Sequence, residues 1–224
     1  MRRANDGKRV IGLNKTYRFL YAILAPLIRF FYRIKTVNPE NIPEGGCLIC
    51  ANHTAFSDVF VLAASVKKRQ IKFMAKKELF SVPVLGKLIT ALGAFPVDRG
   101  GVDVGSLKRT IGYLKNGDTV GIFPQGTRRP SVDPRTTEPR YGIGMIAWHS
   151  KTDVLPVYIR TKNNKLHMFG KTEVIFGKVI KNEELGFENG GNAEYKAAAK
   201  YVFDKICDMS DEAAADRADK DTVK

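Results

Sequence analysis

Residues 52–58 read Asn-His-Thr-Ala-Phe-Ser-Asp and separate two apolar segments of different character. The first, residues 47–51, is short and uninterrupted like a buried strand, whereas residues 59–66 have helical spacing. A bend between strand and helix would let Asp58 open the helix, where the helix N-terminus favours a carboxylate, and orient the imidazole of His53 as a general base. On one continuous helix the two side chains would instead point about 140° apart. A purely structural interpretation stays open, in which Asp58 caps the helix and His53 belongs to the core.

Strand-like and helix-like segments alternate along the chain, which predicts a single α/β domain with a mixed, largely parallel central sheet flanked by helices. Four predicted strands end in polar or basic residues, namely Asn52 and His53, Lys76 and Lys77, Asp98 and Arg99, and Gln125, Gly126 and Arg128. The ligand crevice of an open α/β sheet lies beyond the carboxyl ends of its strands, so we expect these groups to share one site. Their cationic groups match a phosphate, and backbone amides around Gly126 are expected to form an anion-binding nest.

Two further segments complete the predicted domain. Residues 165–169 and 173–176 predict a pair of strands at an antiparallel edge, and residues 193–209 predict a C-terminal helix. The apolar residues 81–92 contain one proline and one glycine and predict a short helix over the sheet or the wall of a hydrophobic channel.

Both ends of the chain differ in composition from this domain, which we place at residues 36–209. Residues 1–35 form a basic and apolar arm, in which a run of ten residues, 19–28, carries no charge. A spanning helix needs roughly 20 residues, so we predict a helix or kinked helix pair, with Pro26 at the bend, lying in one leaflet of a membrane. The alternative is a core helix with a solvated basic face. Residues 210–224 are rich in alanine and acidic residues and predict a disordered tail.

The charge of the chain indicates an anionic partner. Its formal net charge is +14 and its pI is near 9.7, values that favour nucleic acid, anionic lipid, an acidic protein or a phosphorylated substrate. Three cysteines do not make a disulfide framework. Cys47 and Cys50 are spaced as C-x-x-C, but on a strand they would point to opposite faces, so we predict no metal site.

Several well-known motifs are missing from the sequence. The G-x-S-x-G elbow is absent, which makes Ser57 a poor candidate nucleophile. Neither the P-loop nor the dinucleotide-binding glycine motif occurs, which disfavours nucleotide binding. A base without a protein nucleophile suggests direct attack by a hydroxyl group of the substrate.

Taken in order, the motifs resemble the PlsC family of 1-acyl-glycerol-3-phosphate acyltransferases. The family's H-x-x-x-x-D motif matches His53 and Asp58. Its other blocks are similar to Ala-Lys-Lys-Glu-Leu-Phe at residues 75–80, Gly-Ala-Phe-Pro-Val-Asp-Arg at 93–99, Phe-Pro-Gln-Gly-Thr-Arg at 123–128 and Val-Leu-Pro-Val at 154–157. The resemblance covers residues 18–206, and several motifs in this order are far more specific than any one of them.

The resemblance implies transfer of a fatty acyl group from acyl-carrier protein or coenzyme A to the free hydroxyl of lysophosphatidic acid, giving phosphatidic acid without any other cofactor. It implies that His53 deprotonates the hydroxyl and that Asp58 holds the imidazole. It further implies that the substrate phosphate is bound by Arg128, Lys76 and Arg99. The residues expected to support these motifs are Asn52, Gln125, Gly126, Thr127 and Pro156. Peripheral attachment to the cytoplasmic face of the cell membrane is also implied, with phospholipid rather than nucleic acid as the anionic surface.

One residue departs from the family pattern. Gln125 stands where the family usually has glutamate in its third block, which keeps the hydrogen-bonding reach but replaces a charge with an additional donor. The acceptor is therefore less firmly implied than the reaction, and glycerol 3-phosphate or another lysolipid are alternatives. A non-catalytic lipid- or nucleic-acid-binding protein is an alternative from another class, and it would not require His53.

Overall fold

The computed structural model describes residues 14–98 and 103–222, with side chains described as far as residue 210. Its helices are α1 (Lys15–Phe31), α2 (Asp58–Ser65), α3 (Pro83–Ala91), α4 (Val104–Lys115), α5 (Gly142–Ser150) and α6 (Asn192–Thr222). Its strands are β1 (Ile34–Val37), β2 (Leu48–Ala51), β3 (Ile71–Lys76), β4 (Ala94–Val97), β5 (Thr119–Ile122), β6 (Val154–Thr161) and β7 (Thr172–Phe176).

The strands form one sheet in the order β1-β7-β6-β2-β5-β3-β4. Every neighbouring pair is parallel except β6 with β7. The predicted α/β domain with a mixed, largely parallel sheet is therefore confirmed.

The sheet is covered on both faces, as a parallel sheet requires. Alternate residues of β2 enter two different clusters, so that Leu48 and Cys50 pack with residues of α4, α5 and α6, whereas Ile49 packs with Val61 and other residues of α2. Cys47 belongs to the α2 side and Cys50 to the opposite side, as the strand pattern predicts. No metal-binding group of three or more His, Cys, Asp or Glu side chains occurs in the described part of the chain.

Three details differ from the expectations of the sequence. Strand β1 was not predicted, and the predicted end of the arm, at residue 35, falls inside it. Residues 165–169 are not a strand, and β7 lies between β6 and β1 rather than at the edge of the sheet. The helical backbone of α6 continues to Thr222 where the sequence predicts a disordered tail, in keeping with the high helix propensity of its alanines.

Helix α1 is a single helix that contains Pro26 rather than a separated pair of helices. Its inner face packs on α2, where the hydroxyl of Tyr21 and the guanidinium of Arg29 donate hydrogen bonds to the carbonyl oxygen of Ala64. Within residues 14–98 and 103–222, no helix is both long enough and apolar enough to cross a membrane.

Strands β2, β5, β3 and β4 are neighbours and run in parallel, which positions the predicted site. Their carboxyl ends therefore lie along the same side of the sheet. We call this row of strand ends the catalytic edge. Of the residues predicted to meet there, Arg99 lies outside the described residues.

Candidate active site

The centre of the site is a contact between His53 and Asp58 at the catalytic edge. His53 follows the end of β2 and Asp58 is the first residue of α2, so that the bend between strand and helix brings the two side chains together. The Nδ1 atom of His53 lies 2.9 Å from Oδ2 of Asp58. The predicted geometry of the pair is therefore present.

The carboxylate of Asp58 is fixed by the backbone of the bend. Its Oδ2 atom accepts hydrogen bonds from the N–H groups of Thr54 (2.6 Å) and Ala55 (2.8 Å). The hydroxyl of Thr54 donates to Oδ1 at 3.3 Å, and Asp58 is fully buried. Ser57, at the start of α2, makes no capping hydrogen bond with its side chain. Asp58 thus holds the bend and the imidazole rather than serving as an ordinary cap.

The hydrogen bonds to Asp58 determine which nitrogen of His53 carries the proton. An ionised carboxylate only accepts hydrogen bonds, so Nδ1 of His53 must donate to it. The neutral imidazole then has a lone pair on Nε2, the atom that a general base uses. The side chain of His53 is 15% exposed, so the ring lies at the surface of the crevice rather than deep in the core.

Two further contacts hold the backbone and ring of His53, and a third holds the residue before it. Its carbonyl oxygen accepts a hydrogen bond from the N–H of Arg129 at 2.8 Å. The ring of Phe123 stacks on the imidazole with a centroid distance of 4.0 Å and an interplanar angle of 15°. The preceding residue, Asn52, is fully buried and clamps the backbone of Ile159 in β6 through both ends of its amide. These contacts restrict the imidazole to one orientation.

Gln125 makes a second hydrogen bond to the backbone of His53. Its Oε1 atom accepts the His53 N–H at 2.7 Å, and its Nε2 atom donates to the hydroxyl oxygen of Thr137 at 3.0 Å. The Thr137 hydroxyl in turn donates to the carbonyl oxygen of Pro134 at 2.6 Å. Because an amide has one acceptor end and one donor end, it satisfies both neighbours without a buried charge. These two hydrogen bonds explain why a glutamine fits at position 125 of this chain.

The two links of this chain of hydrogen bonds are expected to differ in importance. Gln125→Ala leaves the partly buried N–H of His53 without its acceptor and should lower the free energy of unfolding by about 1–3 kcal/mol. Thr137→Val is the matched control, because it removes the outer link but leaves Gln125 on His53, and it should cost less. Urea unfolding of both variants measures the difference. Equal losses would contradict a specific role for the contact between Gln125 and His53.

The predicted phosphate-binding residues differ in how directly they are linked to His53. Arg128 is exposed and directly precedes Arg129, whose backbone bonds to His53. No hydrogen bond or ion pair of the Arg128 guanidinium is found among the described residues. Lys76 ends β3 and lies 3.6 Å from a carboxylate oxygen of Glu78, and no direct contact joins it to His53 in the described ranges.

Two other expectations about this edge are modified by the structure. The amino group of Lys77 donates to Asp98, and this hydrogen bond raises the pKa of the lysine. Gly126 has a φ of 69°, which suits glycine, but its N–H donates to the carbonyl oxygen of Phe123 and is not free for an anion. Thr127 is exposed beside Arg128, whereas Pro156 lies in β6 opposite Cys50. The N–H of Gly126 itself is therefore not part of an anion-binding nest, and the nest of neighbouring amides stays a prediction.

Sequence reasoning missed two residues of the site. Phe123 belongs to the quoted third block, but nothing in the sequence indicated that its ring would stack on His53. Thr137 lies in a proline- and threonine-rich segment that the sequence presents only as a loop, so its contact with Gln125 had no sequence signal.

Comparison with known proteins identifies the family to which the chain belongs. The family described as Acyltransferase matches residues 33–160, more than half of the chain. This chain belongs to the acyltransferase family. The matched range includes His53, Asp58 and the segment around Gln125, so the family relationship and the described site coincide.

Individual relatives carry more specific names. The chain is 33% identical over 167 residues to a 1-acyl-sn-glycerol-3-phosphate acyltransferase of Bacillus subtilis, covering 73% of this chain and 82% of the relative. It is 32% identical over 123 residues to an enzyme of the same name from Streptococcus pneumoniae, covering 54% of this chain but only 44% of that relative. A crystal structure of the acyltransferase PlsC from Thermotoga maritima matches with a TM-score of 0.65 and 23% identity, covering 89% of this chain and 81% of that chain. The last likeness establishes the fold.

Proposed function

We propose that this protein transfers a fatty acyl group from acyl-carrier protein or acyl-coenzyme A to the free hydroxyl of lysophosphatidic acid, forming phosphatidic acid. The observation that carries the proposal is the contact between Nδ1 of His53 and the buried carboxylate of Asp58 at the catalytic edge. The names of the Bacillus and Streptococcus relatives support the choice of acceptor.

The proposed reaction uses the free nitrogen of His53. Nε2 takes the proton of the acceptor hydroxyl while its oxygen forms a bond to the thioester carbonyl carbon. The resulting imidazolium is stabilised by Asp58, which also keeps the ring in place. The carbon–sulfur bond then breaks, and the proton passes from Nε2 to the departing sulfur, which leaves as a thiol. The products are the new ester, the free thiol and the original neutral imidazole.

Arg128 is proposed to bind the phosphate of the acceptor, because its exposed guanidinium is carried on the segment that bonds to His53. A planar guanidinium can bind two phosphate oxygens at once. Lys76 and Arg99 are proposed as additional cations around the same phosphate. The exposed apolar side chains of α3, including Val84 and Leu88, support the proposal that this helix lines the path of an acyl chain.

Replacement of Arg128 tests this assignment. Arg128→Ala is expected to raise the KM for lysophosphatidic acid by about 10- to 100-fold, as expected for loss of a charge-assisted hydrogen bond, with a smaller effect on kcat. Arg109→Ala on α4 is a matched control that should change neither constant. Steady-state kinetics with varied acceptor measure both. An unchanged KM in the Arg128 variant would place the phosphate elsewhere.

Helix α1 is proposed to attach the protein to the cytoplasmic face of the cell membrane. From residue 19 to residue 30 every exposed side chain of the helix is apolar, and these residues are Phe19, Ala22, Ile23, Pro26, Leu27 and Phe30. We call this set the α1 stripe. Exposed apolar faces of this kind, flanked by cations, are typical of helices that lie in a membrane interface.

A panel of acceptors tests the proposed reaction. Purified protein is given an acyl donor, either acyl-coenzyme A or acyl-carrier protein, with lysophosphatidic acid, glycerol 3-phosphate or lysophosphatidylcholine. We expect the highest kcat/KM with lysophosphatidic acid. Preference for the acceptor without a terminal phosphate monoester would overturn the proposed substrate, and transfer to glycerol 3-phosphate alone would replace it.

A further inference from the structure

We infer that the loop of residues 165–171, here called the tip loop, is a second membrane-binding element and that it inserts into an anionic bilayer beside the catalytic edge. The inference rests on the proposed function, since it identifies how the site reaches an acceptor that resides in the membrane.

The tip loop presents two large apolar side chains to the outside of the protein. Met168 is 56% exposed and Phe169 is 58% exposed. Phe169 has a φ of 64°, a left-handed conformation that is unfavourable for a bulky residue. The conformation is supported by a hydrogen bond from the Phe169 N–H to the carbonyl oxygen of Phe31, and the two rings meet edge to face at 5.6 Å. The loop is therefore docked on the end of α1 with its apolar tip facing outward.

Docking on Phe31 makes the tip loop a continuation of the α1 stripe. The stripe extends about 16 Å along the helix and ends at Phe30, which is 70% exposed and whose ring contacts that of Phe31. Helix and loop together present one elongated apolar surface.

The sheet topology places the tip loop on the same side of the molecule as His53. Strand β6 pairs in parallel with β2 and continues beyond its end to Thr161, which is paired with Thr172 of β7. The tip loop connects these two strands, so it projects from the catalytic edge. Phe56, in the bend between His53 and Asp58, is also exposed. A bilayer that contacts the tip loop would therefore face the crevice.

The charges around the tip loop favour an anionic membrane over other occupants. Five exposed cations surround it, namely Arg33, Lys35, Lys162, Lys165 and Lys171. Residues 33–37 and 162–172 contain no acidic residue, although Glu173 directly follows them and pairs with Arg160 and, at 4.0 Å, with Lys35. Cations near an anionic leaflet contribute about 1 kcal/mol each, and apolar side chains between them can enter the interface. An acidic protein surface would match the cations but would not bury the apolar side chains of Met168 and Phe169.

Flotation with lipid vesicles tests the inference. We expect the double variant Met168→Asp with Phe169→Asp to bind vesicles of equal parts phosphatidylglycerol and phosphatidylcholine about tenfold or more weakly than the unmodified protein. Aspartate tolerates a left-handed φ better than phenylalanine does, so backbone strain does not explain such a loss. Tyr201→Asp is the matched control, an exposed aromatic on α6 across the sheet, and it should bind normally.

A fluorophore provides a direct measurement at the tip. The natural cysteines Cys47, Cys50 and Cys207 are buried, and burial raises the pKa of the Cys207 thiol to about 12, so a Met168→Cys variant can be labelled at one position. An environment-sensitive dye there should brighten and shift to shorter wavelength with the anionic vesicles. Absence of that change would overturn the inference, as would normal flotation of the double aspartate variant.

Two further measurements separate the inference from the proposed function. Acyl transfer by the double variant should be normal with acceptor in detergent micelles and reduced with acceptor in vesicles, whereas an equal loss in both would overturn a role for the loop in membrane binding. If the apolar surface is covered by a second copy of the chain instead, sedimentation velocity without lipid would show a dimer that the double variant loses, which would also overturn it. Flotation needs no catalysis, so a protein that floats normally but makes no phosphatidic acid would contradict the proposed function alone.

Discussion

His53→Ala is expected to lower kcat for acyl transfer by about 10³-fold or more, while leaving the protein folded. The imidazole is the group that we propose takes the hydroxyl proton, and general-base catalysis contributes typically 10²- to 10⁴-fold. The N–H of His53 donates to Gln125, and its carbonyl oxygen accepts from Arg129. Both hydrogen bonds use the backbone of His53 and not its imidazole, so both can survive the substitution. Initial rates at saturating acceptor and donor, together with thermal unfolding, measure the two effects separately.

The matched control for this variant is His149→Ala. It removes a histidine from α5, which packs on the face of the sheet opposite to α2. It should retain nearly full activity. If His53→Ala kept most of its activity while remaining folded, the imidazole would not be the base and the proposed mechanism would be wrong.

Asp58→Asn is expected to cause a loss of comparable size, about 10²- to 10⁴-fold in kcat, with a much smaller change in the KM of the acceptor. An asparagine can still accept hydrogen bonds from the N–H groups of Thr54 and Ala55 through its oxygen. That oxygen takes the place of Oδ2, the atom that also contacts Nδ1 of His53, so the ring keeps its orientation but loses the neighbouring negative charge that stabilises the imidazolium. The loss therefore arises from the missing charge rather than from unfolding.

Ser57→Ala serves as the neighbouring control, because the Ser57 side chain makes no capping hydrogen bond, and it should retain its activity. Steady-state kinetics and far-ultraviolet circular dichroism are measured for both variants. An Asp58→Asn enzyme with normal kcat would show that the negative charge of the carboxylate does not assist His53.

Most of the fold follows from local patterns in the sequence. The buried strand β2 is an uninterrupted apolar run, and α4 is indicated by its apolar spacing and by the Asn-Gly pair that stops it. Strand β1 was not predicted because the turn before it contains neither glycine nor proline. Arg33 itself adopts the left-handed conformation of that turn. Residues 165–169 resemble a strand in composition but do not form one, because contact with α1 holds Phe169 at a positive φ.

The candidate site was only partly predictable for a different reason. His53 and Asp58 are close in sequence, and a bend between strand and helix is enough to bring them together. The contacts of Phe123 and Thr137 depend on how β5 and the segment after it lie against β2, which no local pattern indicates. The same holds for Gln125, whose residue type departs from the family but whose two hydrogen bonds explain it.

The most direct test of the central claim is the amount of phosphatidic acid formed from lysophosphatidic acid and an acyl thioester, measured by mass spectrometry for the unmodified protein and for His53→Ala side by side. The account predicts phosphatidic acid carrying the donor's acyl chain with the unmodified protein, and about 10³-fold less of it with the variant. Absence of that product with the unmodified protein, or equal amounts with both proteins, would contradict it.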